Sequence, residues 1–422
     1  MGVYKLTINL LKSDLKQCIF YCLSMAFSVG IIFNAFNIVT NESFVALGKN
    51  EAEVSSTIIF SIISIVILFT FFANSYFIMS KSKEIATSIL SGANYYKISA
   101  LLFFQNFIII GLGSILGYIL GIIISPLFLY IMFRGLGISG SILDLSTEGI
   151  WGTFAVIMVQ FFCVSYGDFM YVSSKEITEL MKENRQVYKP DDRIVKTPKL
   201  VYLIIYLIPI VTIFINPKKL DPAALIFINI VLSIYGTQGV IRYFLPDIIL
   251  KLKKNKYIND KVKLISFSNL HYSLRKLDFL VVILSVSTIT LIALSGLYSH
   301  SSSIKIVSIC SYITIIILMA ITILYKLMIE VSNRRYAFKQ LRLIGYTISQ
   351  IKKVIFHEVK IFYYMVIGIP LFHIVIYLIL FRNIGIISTT LSLAFLGIYL
   401  LTFLIIGIIS YFVYRRLITS YL

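Results

Sequence analysis

The chain has 422 residues, 59% of them hydrophobic and only 14% charged, with a mean hydropathy of +0.92, whereas soluble domains carry roughly 25% charged residues. That composition excludes an ordinary soluble fold and predicts an all-α polytopic membrane protein. The net charge of +19 would invite a nucleic-acid reading, but its placement along the chain argues for no nucleic acid and for a topological role.

Apolar runs long enough to cross about 30 Å of hydrocarbon, which takes about 20 residues, lie near 17–39, 55–79, 99–124, 150–173, 200–216, 225–246, 277–297, 304–325, 354–381 and 390–414. They predict about ten transmembrane helices. The first has no cleavage site after it and reads as a signal anchor. The fifth is short, and the ninth contains Pro370, which predicts a kink or an early end. With the N-terminus inside, every Lys and Arg except Lys49, Arg134, Lys218, Lys219, Lys305 and Arg382 falls on the cytoplasmic side. The positive-inside rule then puts both termini in the cytoplasm, and the surplus of basic residues predicts contact with anionic membrane lipids or an acidic protein partner. Cys18, Cys22, Cys163 and Cys310 all fall in apolar runs and read as small fillers, while Trp151 sits at a membrane interface.

Two stretches recur. "NLLKSDLK" (Asn9 to Lys16) is matched by "NLHYSLRK" (Asn269 to Lys276), an offset of 260. "KEIATSILSGANYYKI" (Lys83 to Ile98) is matched by "YAFKQLRLIGYTISQI" (Tyr336 to Ile351), where Leu90, Gly92 and Ile98 pair with Leu343, Gly345 and Ile351 at an offset of 253. Two landmarks at nearly one spacing define an internal repeat. Residues 1–173 form the first copy (spans 1–4, with a short helix near 82–92) and 277–422 the second (spans 7–10, short helix near 335–345). Between them lie a linker at 174–199, spans five and six at 200–246, and a linker with an amphipathic lead-in at 247–276. Six spans separate the copies, so they share one orientation: the repeat is parallel, and the chain does not show the inverted repeats of some transporters. In each copy apolar residues recur at helical spacing beside charged ones and stop at a glycine suited to a C-cap.

Within the spans, Gly113, Gly117 and Gly121 fall on one helical face and predict close packing against another span of the same repeat. Candidate intramembrane polar groups are Asn34, Asn37, Asn74, Asp168, His373 and Glu358. Asn34, Asn37 and Asn74 are candidates for a polar seam between the repeats, and His373 for a satisfied polar contact. "HEVKI" at His357 has Ile361 where a zinc-protease helix needs its second histidine, so no metal site and no catalytic residue is expected. No Walker A sequence occurs; the nearest fragment, "LGKN" at Leu47, lacks the upstream glycine.

The two glycine-ended stretches resemble the FtsX-like permease family, whose repeats carry Lys-x-Glu-Ile, then Leu-x-Gly, then an acidic residue early in the following span. The first copy reads "KSKEIATSILSGANYYKI", and the second, "NRRYAFKQLRLIGYTISQIKKVIFHE", puts Glu358 at the acidic position, where the first has Gln105. A ten-span chain with two such repeats is similar to BceB-type permeases, of the class that includes MacB and lipoprotein-releasing transporters. The connection "LYSHSSSIK" between spans seven and eight is too short to fold alone, so the large extracellular domain usual in BceB-type permeases is missing here.

The resemblance implies a non-catalytic permease subunit of an ABC transporter in the bacterial cytoplasmic membrane. ATP and magnesium would be bound by a separate ATPase, two copies of which would grip the short helices. Ile85, Ile89, Leu90, Phe338 and Leu341 would be the apolar contacts, Glu84, Arg334, Arg335 and Arg342 the charged neighbours, with Gly92 and Gly345 ending the helices. An amphipathic or hydrophobic peptide or a lipid-like molecule is the expected substrate, in peptide export, antimicrobial-peptide resistance or bacteriocin immunity. The alternatives are a scaffold for a sensor kinase or a second permease, and an independent secondary carrier.

Overall fold

The computed structural model describes residues 7, 10–12, 15–45, 49–136, 140–183, 198–214, 222–274, 278–297, 302–383, 385 and 387–419. They contain helices and no strand. The first part comprises α1 (Leu15–Val39), a single turn at Glu42–Val45, α2 (Lys49–Ser80), α3 (Ser82–Leu90), α4 (Tyr95–Leu136), α5 (Thr147–Ser174) and α6 (Ile177–Glu183). Next come α7 (Lys199–Leu207), α8 (Pro209–Phe214), α9 (Pro222–Gly239), a π-helical segment at Val240–Phe244 and α10 (Leu245–Asn255). The last part holds α11 (Lys261–Leu274), α12 (Asp278–Leu297), α13 (Ser302–Leu343), α14 (Ile348–Asn383) and α15 (Thr389–Thr419). Seven helices (α1, α2, α4, α5, α13, α14 and α15) are long and apolar enough to cross a bilayer, and shorter apolar helices cover Lys199–Val211 and Leu280–Ala293. With these shorter helices and α9 in the sixth run, the chain is an all-α polytopic membrane protein of about ten apolar helices.

Three elements differ from the sequence expectation. The fifth run is not one helix: Pro209, which has no N–H to donate, divides it into α7 and α8. Pro370 does not end the ninth, which continues from Ile348 to Asn383. Neighbouring side chains supply donors around that proline, as membrane helices require: the Tyr206 hydroxyl donates to the Ile369 carbonyl at 2.7 Å and the Tyr399 hydroxyl to the Ile367 carbonyl at 3.1 Å. Reciprocally, His373 Nε2 donates to the Tyr206 carbonyl at 3.3 Å, so each proline-interrupted segment supplies a donor to the other. Finally, the second glycine-ended helix is not a separate element. It is the end of α13, 42 residues long, or about 63 Å at 1.5 Å per residue, twice the thickness of the hydrocarbon layer.

The chain groups into two compact units, Met1–Tyr188 with Ser301–Thr314, and Lys189–His300 with Ile315–Leu422. The insert helices α7–α10 therefore group with the second repeat, and the first turns of α13 with the first. In the first unit α4 lies along α1 through its glycine face. A Cβ at Gly117 would fall 2.6 Å from Val29 Cβ and 2.8 Å from the Ala26 carbonyl, at Gly113 2.8 Å from Met25 Cβ, and at Gly121 2.7 Å from the Phe33 ring. Asn34 and Asn37 reinforce the same contact: Asn34 Nδ2 donates to the Gly121 carbonyl at 3.2 Å and Asn37 Nδ2 to Ser125 Oγ at 2.8 Å. Asn37 Oδ1 also accepts from the Ser146 N–H at the start of α5, at 2.8 Å. In the second unit α9 reaches the α7 backbone where Gly236 has no side chain; a Cβ there would sit 2.6 Å from Tyr206 Cα.

Gly117→Leu is expected to lower the stability of the full chain by about 1–3 kcal/mol through overpacking, seen as a reduced thermal midpoint in detergent. Gly111→Leu, on the same helix but at a position where a Cβ would meet nothing within 4 Å, is expected to leave the midpoint unchanged or raised.

Candidate functional site

The two glycine-ended helices close with the same hydrogen bonds at the same offset. In α3 the Ala93 N–H donates to the Ser88 carbonyl at 3.0 Å and the Gly92 N–H to the Ile89 carbonyl at 2.9 Å. At the end of α13 the Tyr346 N–H donates to the Leu341 carbonyl at 3.1 Å and the Gly345 N–H to the Arg342 carbonyl at 3.0 Å. This Schellman arrangement needs a left-handed residue after the helix, and Gly92 and Gly345 have φ of +85° and +99°. The next span follows at once. In the second copy Thr347 and Gln350 exchange backbone-to-side-chain bonds of 2.9 and 3.2 Å, a capping box that starts α14.

Each helix has a face turned inward and a tip turned out. Ile85 is buried with Ile78, Ala86, Ile98, Leu102, Val172 and Leu180, so α6, which carries Leu180, braces α3 from the side. Phe338, its equivalent, is buried edge-on against Tyr414, with ring centroids 6.3 Å apart. Ile85 and Phe338 are therefore anchors that fix the helix to its own repeat, where the sequence predicts outward contacts. The outward apolar residues are Leu90, 63% exposed, and Leu343, 80% exposed, with Ile344 beside the latter. Glu84, Ile89 and Leu341 are half-buried, and Gly92, Arg342 and Gly345 are exposed. The Arg335 side chain lies outside the described residues.

Arg334, expected from the sequence among the charged neighbours at the surface, is buried, only 4% exposed. Its guanidinium pairs with Glu358 and with Glu330, the latter at 2.6 Å, and donates to Ser273 Oγ at 2.8 Å and the Asn269 carbonyl at 3.2 Å. Glu358 also accepts from Asn269 Nδ2 at 2.9 Å and from the Tyr414 hydroxyl at 3.2 Å. Asn269 and Ser273 are two of the residues that mark the repeat in the sequence. Their role here is to fasten the lead-in helix α11 to the bases of α13 and α14, while Tyr414 adds α15.

In the first unit the same offset of 253 puts Lys81 where the second has Arg334, and Gln105 where it has Glu358. Both are buried. Lys81 occupies the single non-helical residue between α2 and α3, with its Nζ 3.4 Å from Glu84 Oε2 and 5.5 Å from the centre of the Phe77 ring. Asn9 and Ser13, the counterparts of Asn269 and Ser273, lie outside the described residues. The sequence holds a signal for this pair that reading outward from the glycines passes over: the offset, extended back to Arg334, lands on Lys81.

The remaining polar candidates are dispersed. Asp168 accepts from Asn74 Nδ2 at 2.6 Å and from Asn106 Nδ2 at 2.5 Å, joining α5 to α2 and α4 inside the first unit; Asn106 is not among the residues that the sequence marks out. The hydrogen bonds of Asn34, Asn37 and Asn74 run within the first unit, and His373 belongs to the contact with Tyr206. Outside the spans, Lys199, hydrogen-bonded at 2.6 Å, and Lys251 at 3.4 Å hold the Asp247 carboxyl below the usual range.

Removing the cation from the buried cluster leaves two carboxylates without it. Arg334→Ala is expected to cost about 3–5 kcal/mol, read as a lower thermal midpoint of the full chain in detergent. Glu358→Gln, which installs the amide found at Gln105 and leaves Arg334 paired with Glu330, is expected to cost less than half of that.

Residues 56–177, from α2 through the start of α6, match a family model described as FtsX-like permease C-terminal. A relative, the bacitracin export permease protein BceB of Bacillus subtilis (strain 168), is 26% identical over 189 residues. That match covers 43% of this chain and 29% of the relative, so the chain spans less than a third of the relative's length. The segment that the family model matches contains α3, its glycine turn and the Lys81 base.

Proposed function

We propose that this chain is the permease subunit of an ATP-driven transporter of the bacterial cytoplasmic membrane, with α3 and the end of α13 as docking elements for two copies of an ATPase. The observation that carries the reading is the paired geometry: two Schellman turns at an offset of 253, each with an exposed leucine at the tip and a buried aromatic or aliphatic anchor behind it. A partner gripping Leu90 or Leu343 would pull on a helix that cannot slide over its own repeat, because Ile85 and Phe338 hold it. ATP and magnesium would sit on the partner, and this chain would convert the closing of the ATPases into relative movement of its spans. Both termini would face the cytoplasm with the docking elements. The relative is described as a bacitracin export permease, which favours an amphipathic or hydrophobic peptide, or a lipid-like molecule, as what this chain handles, in peptide export or in resistance to such peptides.

The test is co-purification of the full chain with candidate ATPase subunits from its own genome. Leu90→Asp together with Leu343→Asp is expected to weaken retention of the ATPase by at least about tenfold, the loss of two exposed apolar contacts, without changing the thermal midpoint of the chain. Stable recovery of a sensor kinase with no ATPase, or ATPase binding indifferent to both leucines, would replace this reading with the scaffold.

A further inference from the structure

The two basal sites differ in a way that points to a ligand. In the second unit Arg334, Glu358 and Tyr414 close over one another and leave a void of only about 10 Å³. In the first, the equivalent region is a cavity of about 180 Å³, lined by Lys81, Glu84, Lys97 and Gln105 with Leu10 and Leu101 among its apolar walls. Gln105 is fully buried, and neither its Nε2 nor its Oε1 has a hydrogen-bond partner. A buried amide left so is destabilising, and a group entering the cavity that bonds to it would remove that cost. Two lysines and one glutamate stand among its lining residues. Where the second repeat supplies its own carboxylate, the first supplies a neutral donor and room.

We propose that this cavity holds the anionic phosphodiester headgroup of a membrane lipid, with Gln105 Nε2 donating to a phosphate oxygen, Lys97 and Lys81 providing the countercharge, and headgroup hydroxyls donating to Gln105 Oε1 and Glu84. A lipid is favoured over a soluble anion because the cavity opens at the base of α4. That span leaves most of its apolar surface uncovered, and Phe103, Phe104 and Phe107 are exposed along it, a surface suited to acyl chains. The proposal concerns the first repeat alone and does not depend on an ATPase.

The experiment is native mass spectrometry of the full chain released from nanodiscs of equal phosphatidylglycerol and phosphatidylcholine, with thermal midpoints recorded in parallel. Selective retention of phosphatidylglycerol is expected. Gln105→Glu, which restores the carboxylate of the second repeat, is expected to reduce that retention about tenfold, the worth of one charge-assisted hydrogen bond. Lys97→Gln, a conservative change at an exposed position, and Gln105→Leu are expected to reduce it in the same direction and keep the test decisive if the glutamate variant does not fold. Equal retention of the two lipids, meaning that the amide is merely hydrated, or retention unchanged in the folded variants, would overturn the proposal. So would excess inorganic phosphate raising the thermal midpoint of delipidated protein as far as phosphatidylglycerol does, since the ligand would then be a soluble anion.

Discussion

Arg334 carries a charge that cannot be neutralised by losing a proton and sits where water does not reach it, so several helices have to meet around it. Burying a charge is tolerable only when it is paired and hydrogen-bonded, and the required partners arrive from α11, α13, α14 and α15. Once these are in place, the lead-in helix, the last turns of α13, the start of α14 and the end of α15 have little freedom left. The turn at Gly345 comes only eleven residues beyond Arg334, so the tip of α13 inherits that rigidity. Lys81 brings a cation to the same place in the first repeat, with a different set of neighbours and a more open surrounding.

The other buried polar groups follow the same rule. Asp168 commits its two oxygens to two asparagines from two other helices. Tyr206 and His373 exchange donors to each other's helix backbone next to Pro209 and Pro370. Without a hydrophobic driving force between helices inside a bilayer, close packing and hydrogen bonds are what hold spans together, and the α1–α4 contact uses both: glycines let the backbones approach and Asn34 and Asn37 bond across them. These contacts are local staples, each confined to its own unit.

Much of this is legible in the chain. About ten apolar runs, the glycine face at 113–121 and the matching turns at Gly92 and Gly345 all follow from spacing and residue type. Inward and outward faces of a short helix do not, because Ile85 and Leu90 are equally apolar and the packing of α2, α4, α5 and α6 around α3 decides which of them is covered. Arg334 is misread for a related reason: it stands in a run of basic residues that looks solvated, and its carboxylate partner lies 24 positions later, on another helix. The survival of α14 through Pro370 is invisible in the sequence because the compensating tyrosines are remote along the chain, one of them in the insert.

The repeats are matched in their turns and unmatched in what precedes them. On one side a non-helical residue separates the nine-residue glycine-ended helix from the helix before it; on the other the same element is the unbroken continuation of a helix 42 residues long. A rod and a jointed arm of similar reach differ in compliance. A load applied at the turn would be taken up partly as bending at Lys81 in the first repeat and passed directly along the helix in the second.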